Sequence, residues 1–194
     1  MGLVMNSLII DAEQFARERH EGQFRKGHLK EPYSVHLEEV ARLCKSWGAE
    51  DEIVAAAWLH DTVEDCPPTS IDEIKAVFNK NIASIVDELT DKKSLSKAER
   101  KQSQINRAAK KSYGASLVIL ADKTSNVGSI IHSPPKDWSL DRQQSYIVWA
   151  QQVVELLPNV PAEARQQFVT LCDQAKFRLY NRYLDASCLK EILG

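Results

Sequence analysis

Apolar residues in this chain recur at three- and four-residue steps almost from end to end, and that spacing restricts it to helices. Ile9, Ala12, Phe15 and Ala16 mark one such stripe, and Leu37, Val40, Ala41 and Cys44 mark another. Side chains three and four apart share a helix face, whereas a half-buried strand would alternate every second residue. No alternating run is present. The spacing predicts helices over 7–21, 34–47, 51–64, 70–79, 81–90, 96–111, 114–131, 138–157 and 161–183. Helix starts agree with it. Ser70 with Glu73 and Ser96 with Glu99 have the capping-box spacing, and Pro161 suits a first helical turn. Gly48, Pro67-Pro68 and Pro134-Pro135 punctuate the segments.

The expected fold is therefore all-α, a single helical bundle. With 194 residues, 43% of them hydrophobic and 27% charged, one core is expected, and no repeat or Gly/Ser linker divides it. Residues 1–160 read as the main domain and 161–194 as an additional C-terminal helix packed on it. A chain of this length buries roughly 70% of its unfolded surface, so a metal would serve chemistry rather than folding. A net charge of −2 gives no general attraction to nucleic acid or anionic membrane, so polyanion binding has to be local. Cys44, Cys66, Cys172 and Cys188 are far apart and form no CxxC pair, which argues for reduced thiols. The first twenty residues lack the charged region and cleavage site of an export signal, and no run approaches a membrane span. A cytoplasmic protein of unknown oligomeric state is the expectation.

Four residues stand out as candidate metal ligands: His36 in PYSVH, the pair His60-Asp61 in AAAWLHDTVED, and Asp122 in LVILADKTSN. His60-Asp61 closes the apolar run IVAAAWL, and Asp122 follows the apolar stretch 115–121. Polar side chains buried there cost several kcal/mol unless partnered, and a cation would compensate them. Two imidazoles and two carboxylates suit a divalent transition ion such as manganese, iron or zinc, with positions left open for water and a phosphate oxygen. Glu64 and Asp65 follow His60 and Asp61 by one helical turn, close enough to move protons for a hydrolytic reaction. His20, His28 and His132 have no such context and read as surface residues, and Trp47 and Trp58 read as core.

These segments, with HEGQFRKG, VDELTDKKSLSKAERKQSQ and DWSLDRQQSYIVWAQQVV, resemble the HD-domain hydrolases of the RelA/SpoT superfamily, above all the small hydrolase-only alarmone hydrolases. The resemblance covers about residues 8–157. It implies manganese-dependent removal of pyrophosphate from the 3′ position of guanosine tetra- or pentaphosphate, giving GDP or GTP. It implies His36, His60, Asp61 and Asp122 as ligands and Glu64 with Asp65 as catalytic carboxylates. It implies Arg25 and Lys26 beside the nucleotide, Lys97 and Lys101 toward phosphates, Asn126 at the sugar, and Arg142 with Tyr146 as a phosphate and ribose clamp. Ile119, Thr124, Ser125 and Gly128 differ from the family's usual residues, which implies an altered pocket wall after Asp122.

A small-molecule nucleotide is thus the expected partner, with no nucleic acid and no membrane. Two other readings use the same residues. One is hydrolysis of another phosphorylated nucleotide, for example at the 2′-phosphate of NADPH, which a panel of nucleotides separates from the first. The other is a non-catalytic sensor, which would bind nucleotide and metal without turnover.

Overall fold

The computed structural model describes residues 7–193, with side chains through Leu184. Its elements are α1 (Ser7–Arg19), α2 (Tyr33–Ser46), α3 (Asp51–Leu59), α4 (Thr62–Asp65), α5 (Ile71–Val77), α6 (Lys80–Leu89), α7 (Lys97–Ala108), α8 (Tyr113–His132), α9 (Leu140–Glu155) and α10 (Ala162–Leu193). Among the described residues there is no strand, only isolated bridges pairing Phe24 with Pro32 and Gly27 with Pro135. None of these helices is long and apolar enough to cross a membrane. Cys44, Cys66 and Cys172 are free, whereas Cys188 lies outside the described side chains.

Local chemistry sets the helix starts. Ser96 and Glu99 form a reciprocal capping box on α7, while Asn79, Ser112 and Ser139 each accept a backbone N–H at the start of α6, α8 and α9. At α5 the Ser70 side chain caps alone, because Glu73 turns to an ion pair with Arg19 at 2.6 Å. Gly48 closes α2 at φ 80°, a left-handed conformation that glycine adopts without the Cβ penalty.

The core consists of two apolar clusters that share α8. Leu117, Val118 and Ala121 pack with α1, α2, α3, α5 and α6, around Leu37, Leu59, Ile74 and Ile82. Leu120, Val127 and Ile130 pack with α9 and α10, around Ile147, Phe168, Cys172 and Leu179. A helix apolar on both sides is a buried one, and the polar residues it does carry must be satisfied inside the protein. Asp122 follows the apolar stretch 115–121 without ending the helix. It lies in the middle of α8, between the two clusters, and the helix runs ten residues further.

The helix expected over 51–64 is also broken. His60 Nδ1 lies 2.8 Å from the Ala57 carbonyl, and the Thr62 hydroxyl donates to the Leu59 carbonyl at 2.7 Å. Side chains that bond nearby carbonyls offer the backbone an alternative to the helical ladder. α3 therefore stops at Leu59, and α4 restarts after Asp61.

Gly27 shows how tightly the loop before α2 is held against the one after α8. A Cβ at this position would stand 2.5 Å from the Ser133 carbonyl oxygen, a backbone atom that cannot swing aside. Overpacking of this kind costs about 1–3 kcal/mol. Gly27→Ala is therefore expected to lower stability by that amount in urea denaturation, against a smaller loss for Gly22→Asn, where no atom stands in the way and only the left-handed backbone, which Asn tolerates better than most residues, opposes a side chain. Equal stability of Gly27→Ala and the parent protein would show that the two loops are not held together.

Candidate metal centre and nucleotide cavity

Three segments converge on one point between the clusters. His36 comes from α2, His60 and Asp61 from the break after α3, and Asp122 from α8. His36 Nε2 lies 3.3 Å from Asp122 Oδ1 and 3.8 Å from Asp61 Oδ2. His60 Nε2 lies 3.1 Å from Asp61 Oδ2 and 4.0 Å from Asp122 Oδ1. Donor atoms of His36, His60 and Asp122 are mutually close enough to hold one ion.

The donor set fits a cation. His60 Nδ1 can donate to the Ala57 carbonyl, so an ion that displaces the other ring proton meets an Nε2 lone pair. That Nε2 is buried 3.1 Å from Asp61 Oδ2, without a well-formed hydrogen bond. Burial opposes protonation of His60, but the Asp61 and Asp122 carboxylates outweigh it and push the ring up to about 9. Burial likewise opposes ionisation of Asp61, and the adjacent His60 ring holds it well below the usual carboxylate range. Asp122 is held low in the same way, against burial, by the Lys123 ammonium and a hydrogen bond with His36. So much negative charge gathered around a ring-nitrogen pair is a cavity for a positive ion.

Neighbouring groups fix each carboxylate. Tyr33 donates to Asp61 Oδ2 at 2.6 Å, Lys123 Nζ lies 2.8 Å from Asp122 Oδ2, and the Asn126 amide donates to Asp122 Oδ1 at 2.6 Å. His20 corrects the sequence expectation, because it is 3% exposed rather than on the surface. Its ring stacks on Tyr33 at 4.9 Å and bonds Gln23, buttressing the phenol that grips Asp61. His28 and His132 are exposed.

Glu64 lies beside this centre and faces the same cleft as His60, Asp61 and Asp122. Arg100 holds its Oε1 at 3.0 Å, and the backbone N–H of Asp91 donates to Oε2 at 3.3 Å. Burial raises its pKa, and the Asp61 carboxylate adds to the effect against the Asp91 N–H. Asp65 is exposed at the end of α4, with its pKa raised by partial burial and by Asp61. Asp91, Gln104 and Arg107, which no motif singled out, form a half-buried ion pair and hydrogen bond on the far wall of that cleft.

A cavity of about 240 Å³ opens on the other side, lined by Arg25, Lys26, Tyr33, His36, Asn126, Trp138 and Tyr146, among others. His36 belongs to both this cavity and the ligand cluster, and Tyr33 and Asn126 line both this cavity and the cleft beside Glu64, so the two lie side by side. Arg25 is almost buried, paired with Glu39 at 3.1 Å, and lies 3.4 Å from the Asn126 carbonyl oxygen. The other cations gather on aromatic rings. Lys97 and Arg142 lie over Trp138 at 5.8 and 4.7 Å, and Lys101 and Lys123 over Trp149 at 4.7 and 4.5 Å. Lys101 also faces the Tyr146 ring at 5.6 Å. Trp138, Trp149 and Lys123 were missed in the sequence, although the DWS and DK steps were visible there.

Known proteins resemble this chain. An HD domain family model matches residues 12–152. The chain is 38% identical over 173 residues to the guanosine-3′,5′-bis(diphosphate) 3′-pyrophosphohydrolase MESH1 of Danio rerio, covering 88% of this chain and 96% of that protein. Its Homo sapiens counterpart is 41% identical over 149 residues, covering 76% and 83%. Among solved structures, a metazoan ortholog of SpoT that hydrolyzes ppGpp and plays a role in starvation responses superposes with a TM-score of 0.84. It is 32% identical and covers 89% of this chain and 98% of that one.

The ligand assignment predicts that His60→Ala and Asp122→Ala each lose most of their divalent metal after loading and desalting, while circular dichroism keeps its helical signature. Metal content by mass spectrometry reads the outcome, and full occupancy in both variants would sink the site.

Proposed function

This chain belongs to the HD-domain family, and on that premise we propose that it is a small alarmone hydrolase that removes pyrophosphate from the 3′ position of guanosine 3′,5′-bis(diphosphate) and its pentaphosphate analogue. One observation carries the reading. The cavity between Arg25, Trp138 and Tyr146 has His36 in its wall and shares Tyr33 and Asn126 with the neighbouring cleft that holds His60 and Asp122, so a nucleotide seated in it lies with its ribose ester beside the metal centre.

His36, His60, Asp61 and Asp122 would hold a divalent ion, and manganese suits their mixed nitrogen and oxygen donors. When bound, such an ion supplies Lewis acidity toward water and phosphate oxygens. Arg25 presents a flat guanidinium to the purine. Its pairing with Glu39 favours stacking over capture of a phosphate, because its charge is already partly answered. Asn126 and Tyr146 meet the ribose, and Lys26, Lys97, Lys101 and Arg142 receive phosphates. Glu64 takes a proton from the attacking water as its oxygen bonds to phosphorus. The bond from phosphorus to the ribose 3′ oxygen then breaks, and Glu64 or Asp65 returns a proton to that oxygen. A carboxyl with a raised pKa is suited to both halves of this exchange. A non-catalytic sensor has no use for such a pair one turn beyond the ligands.

Incubation with guanosine tetraphosphate and manganese, with products resolved by chromatography, is expected to yield GDP and pyrophosphate in equal amounts. Release of orthophosphate, or turnover of NADPH alone, would overturn the substrate assignment. Glu64→Gln should keep metal and substrate affinity and lower kcat by about 10²–10⁴-fold, since the amide orients water without accepting its proton. A near-parental kcat would transfer the proton to Asp65 or another group.

Lys97→Ala, Lys101→Ala and Arg142→Ala should act mainly on KM, each raising it about tenfold or less, as befits a charge-assisted contact at an open cavity mouth. Partial burial and repulsion from neighbouring cations, Arg142 among them, hold the Lys97 and Lys101 pKa values below the usual lysine range. The parental KM should therefore climb with pH before the roughly 10.4 of a solvent lysine is reached, as the two ammonium groups lose their protons. The double variant should lack that rise. Identical pH profiles for the two proteins would make this helix face a solvated surface.

A further inference from the structure

A ring of polar contacts joins the metal centre to the nucleotide cavity through two residues that the reaction itself does not use. His36 and Glu39 share one face of α2, and Asp122, Ser125 and Asn126 share the facing side of α8. His36 Nδ1 lies 2.9 Å from Ser125 Oγ, and the Ser125 hydroxyl donates to Glu39 Oε2 at 2.6 Å. Arg25 donates to that same carboxylate oxygen at 3.1 Å and approaches Asn126 Oδ1 at 3.4 Å. Asn126 then donates to Asp122 Oδ1, which stands 3.3 Å from His36 Nε2 and closes the ring.

Proton accounting gives the ring a direction. A carboxylate can only accept, so Glu39 takes the single Ser125 proton. The Ser125 oxygen is then free to accept from His36 Nδ1–H, so that when an ion takes the place of the Nε2 proton the ring keeps its Nδ1–H and turns an Nε2 lone pair to the ion between Asp61 and Asp122. The same Glu39 oxygen anchors Arg25, whose side chain is only 9% exposed. We propose that Ser125 and Glu39 are positioning residues that lock the ion-binding face of His36 and the purine-facing plane of Arg25 into one hydrogen-bonded unit. Ion and nucleotide affinity are then coupled, each raising the other by the same factor. The nucleotide half of this inference rests on the alarmone reading, whereas the ion half does not.

Manganese titration of the metal-free protein, following free ion by electron paramagnetic resonance with no nucleotide present, tests the ion half. Ser125→Ala is expected to weaken manganese binding about 10–100-fold, the usual cost of losing the partner of a ligating histidine. Ser125→Thr keeps the hydroxyl and should stay within about threefold of the parent. Arg25→Ala, remote from the ligand atoms, should still weaken manganese several-fold by releasing Glu39. A purely structural or purely nucleotide-binding role would not produce that shift.

At saturating manganese, Glu39→Gln should raise KM for guanosine tetraphosphate about three- to tenfold and leave kcat within about twofold. Manganese affinity unchanged in both Ser125→Ala and Arg25→Ala would overturn the proposal. If Ser125→Ala fails to fold, Arg25→Ala and Glu39→Gln decide the question by the same titration. If the parent protein leaves guanosine tetraphosphate intact, the alarmone reading falls while the manganese titrations still decide the coupling.

Discussion

Two imidazoles and two carboxylates are withdrawn from water at the seam between two apolar clusters, and most of the other polar arrangements follow from the cost of keeping them there. Each unpaired charge in such a place would cost several kcal/mol. The protein answers with opposed charges at 3–4 Å and with a donor or acceptor aimed at nearly every remaining polar atom. Tyr33 holds Asp61, Lys123 and Asn126 hold Asp122, and Ser125 holds His36. His60 Nε2 is buried without a well-formed hydrogen bond and faces the Asp61 and Asp122 carboxylates at 3.1 and 4.0 Å. A ring nitrogen held against two carboxylates is where a cation would gain most.

The substrate side follows a different rule. Here charge is kept near solvent and supported from below by rings, so that Lys97, Lys101 and Arg142 rest on Trp138 and Trp149 rather than on carboxylates. An ammonium over an aromatic face keeps its full charge for a phosphate, while one paired with glutamate does not. Arg25 is the contrast, since its guanidinium is already answered by the Glu39 carboxylate at 3.1 Å.

Much of this was legible in the sequence. The helical spacing predicted nearly every element, and the ligand quartet stood out because polar residues interrupt apolar runs at His60 and Asp122. What escaped depends on contacts between distant segments. His20 looks like any helix-terminal histidine until Tyr33 folds back to stack on it. Ser125 stood out only as a departure in the wall after Asp122 and Glu39 not at all, and their meaning appears only when α2 faces α8. The break after Leu59 escaped because helical spacing continues through it, and two side-chain bonds to carbonyls outweigh the periodicity.

The sharing of α8 between the two clusters bears on how the protein can open. Its Leu117 side and its Leu120 side belong to different halves of the core, and Asp122, Ser125 and Asn126 ride on the same turns. Neither half can melt alone without stripping this helix of packing on one flank. Partial opening that spares the catalytic apparatus is thus confined to elements that do not grip α8, such as α5, whose packing is mainly on α6. The central amides of α8 belong to the last set to exchange with solvent, released only by the global transition. Catalytic competence and the cooperative folding unit are then one and the same population.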